Sequence, residues 1–137
     1  MLKSLQIKNI LIIDQLELNF EPGLNVLTGE TGAGKSILLD SLGFVLGKRG
    51  QMNLVRSGAQ QGEVNVEFYL EKSHRVWKTL KLAGFEIDGE LLIRRVVSSE
   101  GRKQAFVNDK RVTSDFLRSF SEGLIEFNGQ NDDKGLL

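Results

Sequence analysis

The chain has 137 residues, 40% of them hydrophobic and 26% charged, with 18 basic residues balanced by 18 acidic ones. This length predicts one domain with a core of its own, and the zero net charge excludes a global attraction to nucleic acid. The chain has no cysteine and one histidine, which excludes disulfides and Cys/His zinc clusters. The longest N-terminal apolar run, residues 10–13, is too short for a signal peptide or a membrane span. We therefore expect a soluble cytoplasmic protein that does not contact the membrane.

The first twenty residues alternate apolar and polar side chains, which predicts two β-strands. The turn between them is expected around Asp14 and Gln15. A proline–glycine turn at residues 21–23 then leads into a third predicted strand, Leu24–Thr28, which ends at a run of glycines.

From Lys35 the apolar spacing becomes helical, and Gly47 is expected to end this helix. Residues 48–62 are polar and contain glycine, which predicts a loop. The apolar stripe of the helix consists of Leu38, Leu39, Leu42, Val45 and Leu46.

A half-buried antiparallel strand is predicted next, since apolar side chains alternate along it. A short helix follows, which begins near His74 and ends at Gly84. His74 is expected to be a solvated or capping residue rather than a catalyst, and Trp77 to pack in the core or at its rim. The buried face of the predicted strand consists of Val64, Val66, Phe68 and Leu70.

The last third of the chain predicts a β-hairpin, a helix and a strand. The hairpin turns at Ser98–Gly101, and Thr113 or Ser114 is expected to cap the helix. Leu124–Phe127 is the last predicted strand. The hairpin region carries six cations that could contact a nucleic-acid phosphate backbone, although the solvated face of a hairpin is the more common reading. They are Arg94, Arg95, Arg102, Lys103, Lys110 and Arg111.

The spacing Gly29-x-x-x-x-Gly34-Lys35-Ser36, between a predicted strand and a helix, is typical of a P-loop. Backbone N–H groups of such a loop bind phosphate at a helix N-terminus. The lysine would contact the β- and γ-phosphates of ATP, and the serine hydroxyl would bind Mg²⁺. The alternative is a chance glycine-rich turn. The predicted nucleotide-binding residues are Gly29, Glu30, Thr31, Gly32, Ala33, Gly34, Lys35 and Ser36.

Hydrolysis of a nucleotide also needs a metal-binding acid and a group that orients water. The chain contains no run of four apolar residues followed by Asp-Glu. Gln130 follows a predicted strand and a glycine, so it could contact both metal and water, or be a plain turn residue. The acid is therefore expected from another chain, or from the rest of a longer protein of which residues 1–137 are one part.

In order along the chain, several segments resemble the N-terminal head of the RecN family of bacterial DNA repair proteins, which are SMC-like ATPases. Together these segments span nearly the whole chain, and they are more specific to that family than a P-loop alone. They are "MLKSLQIKNILIIDQLELNF", "GLNVLTGETGAGKSILLDSLGFVLGKRG", "VRSGA", "LIRRVVSSEGRKQAFVN" and "NGQND".

This resemblance implies an α/β fold, the N-terminal lobe of an ABC-type P-loop head, with a mixed core sheet and an adjoining antiparallel sheet. A coiled coil and a C-terminal lobe with the signature motif and the acidic strand end would follow. Two such heads would bind two ATP molecules between them as a homodimer, in a protein associated with the nucleoid that repairs double-strand breaks in DNA.

By position, the resemblance assigns residues 29–36 to the Walker A loop and Gln130 to the glutamine that contacts Mg²⁺ and the attacking water, so that Lys35 and Gln130 would be catalytic. It places Arg56 where SMC-type heads have an arginine linked to DNA sensing. Asn128 stands where family members commonly have a histidine, which puts a proton-handling role at that position in doubt.

Three other classes of protein share part of this pattern. An ABC transporter subunit would have an aromatic residue upstream of the P-loop for stacking on adenine, where this chain offers only Phe20. A P-loop kinase would need a lid and an acceptor pocket, for which no residues are evident. A nucleotide-binding module without activity remains the third alternative.

Overall fold

The computed structural model describes residues 1–20, 32–47 and 54–124, and for residues 32–35 it describes the backbone alone. This part of the chain forms six strands and three helices. They are β1 (Leu2–Ile10), β2 (Ile13–Asn19), α1 (Gly32–Val45), β3 (Gln61–Tyr69), α2 (Arg75–Leu82), β4 (Glu90–Ser98), β5 (Lys103–Val107), β6 (Lys110–Val112) and α3 (Ser114–Ser121).

The six strands form one sheet in the order β2-β1-β3-β4-β5-β6, and every neighbouring pair is antiparallel. The predicted antiparallel sheet is thus confirmed. The strands expected in a mixed core sheet cannot be compared, because Leu24–Thr28 and residues 125–127 lie outside the described ranges. Leu124, predicted as the start of the last strand, lies in the turn that follows α3.

One face of this sheet, the inner face, carries the core. The register pairs Val66 with Leu5 on β1 and with Ile93 on β4, so apolar side chains line up across three strands. Helix α1 packs against β3 and β4, α3 packs against β5, and α2 contacts α3. Trp77 on α2 is 1% exposed, which confirms its predicted place in the core. The opposite, outer face carries the polar positions of the same strands.

The first hairpin turns at Leu11 and Ile12, so the predicted turn at Asp14 and Gln15 is wrong. Ile10 pairs with Ile13, and Gln15 lies inside β2 opposite Lys8. The turn is held by a distant segment, since the N–H of Leu11 donates to the carbonyl of Leu54 over 2.7 Å. Leu11 takes a positive φ of 55° there. Tertiary hydrogen bonding, rather than local turn chemistry, therefore sets this turn.

Helix α1 begins at Gly32, earlier than the predicted start at Lys35, and Gly47 follows its last turn as expected. Gly47 has a φ of +92°, the left-handed conformation that ends many helices at glycine. Leu42, Val45 and Leu46 of the predicted stripe are buried, and Leu38 packs against the core. Leu39 is half-buried.

The strand and helix predictions for the second half of the chain are largely confirmed. All four inner-face residues predicted for β3, from Val64 to Leu70, are at most 3% exposed. The side chain of Thr113 accepts from the N–H of Phe116 over 3.0 Å, which makes it the N-cap of α3. Nδ1 of His74 accepts from the N–H of Val76 over 3.1 Å, which confirms its capping role. The short strand β6 was not predicted, and β3 begins at Gln61, inside the predicted loop.

Gly62 is expected to be essential to the fit of β1 against β3. A Cβ at this position would lie 2.5 Å from the carbonyl oxygen of Asn9 and 2.6 Å from Cδ1 of Ile10. Gly62→Ala should therefore lower the free energy of unfolding by about 1–3 kcal/mol, the usual cost of overpacking, as measured by urea denaturation. Gly123→Ala is the control, because its Cβ would lie 3.1 Å from Nε of Arg75 and 3.2 Å from Cγ2 of Val76, farther from its neighbours than a Cβ at Gly62. An equal loss in both variants would contradict this account of Gly62.

Candidate nucleotide-binding site

The predicted P-loop enters helix α1. Gly29, Glu30 and Thr31 lie outside the described residues, and α1 begins at Gly32. The backbone from Gly32 to Lys35 forms the first turn of this helix. The first N–H groups of a helix have no intrahelical acceptor, and the helix dipole places a partial positive charge there, so this turn can bind an anion. Gln130 and Asn128 also lie beyond the described ranges, and their predicted roles stay predictions.

The described residues of α1 fit a ligand at its N-terminal end. The side chain of Ser36 is exposed, so its hydroxyl is accessible to a metal ion or a phosphate. Burial increases along the helix, from Ser36 to Val45, which is fully buried against the sheet. Helix α1 therefore exposes Ser36 near its N-terminal end and buries its C-terminal end in the core.

Two arginines contact carbonyl groups at the C-terminal end of α1. Nη1 of Arg118 donates to the carbonyl of Gly47 over 3.1 Å, and Nη1 of Arg95 donates to the carbonyl of Phe44 over 3.3 Å. Arg118 also forms an ion pair with Asp115, one turn earlier on α3. Cations near the last carbonyls of a helix are favourable, because these carry the negative end of the helix dipole.

The predicted position of Arg95 on the solvated face of the hairpin is wrong. Arg95 lies on the inner face of β4 and is 2% exposed. Burial lowers the pKa of its guanidinium, and the positive charge of Arg118 lowers this pKa further. The alternation of β4 could have revealed its place, since Ile93 and Val97 flank it on the inner face.

The other five cations of the hairpin region do not form one surface. Arg94 lies on the outer face with its guanidinium 4.3 Å from the ring centre of Phe106, and Arg111 pairs with Phe106 from the other side. Lys110 lies 5.1 Å from the ring centre of Phe85. The remaining two, Arg102 and Lys103, are exposed at the hairpin turn. The prediction of a solvated hairpin face is therefore wrong for Arg95, whereas Arg102, Lys103, Lys110 and Arg111 are exposed as expected.

Arg56 lies at the end of the sheet where β1 and β2 meet. Its N–H donates to the carbonyl of Asn9 over 2.8 Å, and its side chain lies 3.7 Å from a carboxylate oxygen of Asp14. The two side chains are 44% and 76% exposed. Residues 54–59 line a shallow cavity of about 180 Å³ together with Ser98 and Ser99 of the hairpin turn. The main chain of Arg56 is thus fixed while its guanidinium stays accessible.

Within the described ranges, no group of three or more His, Asp and Glu side chains could hold a metal ion.

Comparison with known proteins identifies the family of this chain. The chain matches the AAA domain family over residues 4–134. The chain belongs to the AAA domain family. It is also 41% identical, over its whole length, to the DNA repair protein RecN of Halalkalibacterium halodurans and to that of Bacillus subtilis. It spans 24% of the length of each of these curated relatives. The resemblance to the N-terminal part of RecN is thereby confirmed.

Solved structures support the fold of this AAA domain. A structure from a study of ATP-driven dimerization and DNA-stimulated activation of SMC ATPases matches with a TM-score of 0.70 and 25% identity, over 89% of this chain and 78% of that one. An Smc head bound to the C-terminal winged-helix domain of ScpA matches with a TM-score of 0.72 and 23% identity, over 95% of this chain and 42% of that one. The predicted α/β head fold is therefore confirmed.

None of the helices in the described part of this AAA domain is long and apolar enough to cross a membrane.

Arg56→Gln is expected to change the free energy of unfolding by less than about 0.5 kcal/mol, because exposed ion pairs contribute little to stability. The comparison variant is Arg118→Gln, which removes the hydrogen bond to the carbonyl of Gly47 and should cost more. Urea denaturation of both variants measures the difference. If Arg56→Gln lowers the free energy of unfolding by more than about 1 kcal/mol, its guanidinium stabilises the fold and is not simply an accessible group at the surface.

Proposed function

We propose that this chain is the ATP-binding part of a RecN-like ATPase that acts in recombinational repair of DNA double-strand breaks. One observation carries the proposal. The 41% identity to RecN proteins extends over the whole chain, and within it a helix begins inside the Gly-x-x-x-x-Gly-Lys-Ser motif. On this view residues 1–137 are a single unit, the N-terminal lobe of an ATPase head.

The motif residues have separate roles in this proposal. Backbone N–H groups of residues 29–34 bind the phosphates, and glycine at three of these positions leaves room for them. Lys35 binds the β- and γ-phosphates as a positive charge, and Ser36 holds Mg²⁺ through its hydroxyl. Mg²⁺, when bound, neutralises negative charge that develops on the phosphates during hydrolysis. Gln130 contacts this ion and orients the attacking water.

The chain holds only part of a catalytic site, so we infer that it binds ATP weakly and hydrolyses it negligibly by itself. The acid at a strand end and the signature motif would come from a C-terminal lobe of the same protein and from the partner head. If two heads associate only when ATP is bound, hydrolysis depends on their dimerization. The SMC study whose structure resembles this chain links ATP to dimerization and DNA to activation in its own proteins.

The proposed partners of the whole protein are DNA, the C-terminal lobe and a second copy of the head. We place the protein in the cytoplasm, at the nucleoid, since its substrate would be chromosomal DNA. The relatives that match are named DNA repair proteins, which supports repair over transport or a kinase reaction.

Lys35→Ala should abolish the binding of a fluorescent ATP analogue to the 137-residue chain, because it removes the cation that contacts the terminal phosphates. A titration of the analogue in the presence of Mg²⁺ measures this. Lys72→Ala removes an exposed lysine elsewhere and should bind as the wild type does. Equal binding by Lys35→Ala and wild type would argue against the P-loop assignment.

The purified chain should show no steady-state ATP hydrolysis above background, and addition of a C-terminal lobe from a RecN protein should restore it. Phosphate release with and without that lobe is the measurement. Hydrolysis by the chain alone that Lys35→Ala abolishes would disprove the inference that the acid comes from elsewhere. Failure to bind ATP even beside the added lobe would favour a module without activity.

A further inference from the structure

Arg95 is a buried cation whose described partners are all uncharged. It is 2% exposed, and its guanidinium contacts the carbonyl of Phe44, the hydroxyl of Ser114 at 2.9 Å and the ring of Phe44 at 5.0 Å. No acidic side chain in the described ranges forms an ion pair with it. Its Nε atom is buried and has no hydrogen-bond partner among the described residues.

A side chain that served only to fill the core would not need this charge. Burying an arginine without an acid is costly, and apolar residues of similar size often replace buried charges without loss of stability. The cost is partly offset at this place, because the last carbonyls of a helix carry a partial negative charge. Unlike an apolar side chain, the planar guanidinium donates hydrogen bonds in fixed directions, so it constrains the positions of its acceptors.

The acceptors of Arg95 belong to two different helices. Phe44 lies in the last turn of α1, and Ser114 is the first residue of α3, while Arg95 itself lies on β4. Leu42 and Val45 of α1, and Leu46 in the turn that follows it, belong to the hydrophobic core. The hydrophobic effect itself is non-directional. The hydrogen bonds of Arg95 reach fixed acceptors, so they can contribute to fixing the position of α1 relative to the sheet.

The position of α1 matters because its other end enters the P-loop. The helix has 14 residues, which corresponds to a length of about 21 Å. A tilt of about 3° at the anchored end would displace the first turn by about 1 Å over that length. A displacement of this size at a reacting centre can cost a rate factor of about a hundred.

We infer that Arg95 is a positioning residue for the nucleotide site: from the sheet, it fixes α1 through Phe44 and thereby sets where the first turn of α1 meets the phosphates of ATP. This inference rests on the proposed function of residues 29–36 as a phosphate-binding loop. Arg95 does not touch the nucleotide in this account. It acts through the helix.

The test compares Arg95→Met with Arg94→Met in the 137-residue chain. The two arginines are neighbours on β4, and both contact an aromatic ring, but Arg94 lies on the outer face, away from α1. The dissociation constant of the fluorescent ATP analogue with Mg²⁺ is measured at a temperature at which circular dichroism shows each variant fully folded. Arg95→Met should bind about tenfold more weakly or worse, and Arg94→Met within about twofold of wild type.

Equal affinities for folded Arg95→Met and wild type would overturn the inference, even if the variant melts at a lower temperature. Should Arg95→Met fail to fold, Arg95→Lys and Ser114→Ala decide. Arg95→Lys keeps a cation at position 95 and Ser114→Ala keeps Arg95 itself, but each loses the pair of guanidinium hydrogen bonds that joins α1 to α3. Each should therefore bind the analogue more weakly than Arg94→Met.

Hydrogen exchange separates failure of this inference from failure of the proposed function. If wild type does not bind the analogue even beside the added C-terminal lobe, the proposed function fails, and the exchange of residues 36–40 without nucleotide tests the positioning role alone. Arg95→Lys should speed exchange in these amides of α1 more than in those of α2. Equal changes in both helices would mean that Arg95 contributes to global stability only.

Discussion

The packing of α1 on the inner face of the sheet is the interaction on which the rest of this structure depends. Strands β3 and β4 present an apolar surface to α1, and the helix buries Leu42, Val45 and Leu46 there. Ser36, directly after the first turn of α1, is exposed. One helix thus joins the core to the residues expected to bind phosphate, so changes in its packing are transmitted to the proposed site.

The polar contacts of α1 are concentrated at its buried end. Carbonyl groups near a helix C-terminus need donors, and here Arg95 and Arg118 supply them from β4 and α3. The close approach of Arg118 also requires glycine at position 47, because a Cβ there would lie 2.9 Å from its Cγ. Gly47, with its positive φ, and the two arginines therefore together stabilise the C-terminal end of this helix.

The chain is a member of the AAA domain family, and its fold resembles that of SMC heads. Helix α1 packs on strands β3 and β4 of the six-stranded antiparallel sheet. Because the chain spans 24% of the length of the RecN proteins it matches, hydrolysis and DNA repair are proposed for a larger assembly. What this chain contributes to it is a helix held in place at one end.

The sequence by itself determined the features that depend on neighbours along the chain. Alternation predicted β3 and the β4–β5 hairpin, since a strand with one buried face must repeat its apolar residues every second position. Cap chemistry predicted Thr113 and Gly47, because helix ends need local donors, acceptors or a positive φ. The Gly-Lys-Ser motif predicts a phosphate site, which stays a prediction because Gly29, Glu30 and Thr31 lie outside the described part of the chain.

Only the tertiary structure decided the features that depend on distant segments. The first turn lies at Leu11 because Leu54 accepts its N–H, and no local pattern contains that hydrogen bond. Arg95 is buried because α1 and α3 bring acceptors to the inner face of β4. A cation in an alternating strand is expected at the surface unless the fold supplies its partners. Those partners lie 51 and 19 residues away along the chain, so the alternation of β4 indicates the inner face for Arg95 but does not show which groups accept its hydrogen bonds.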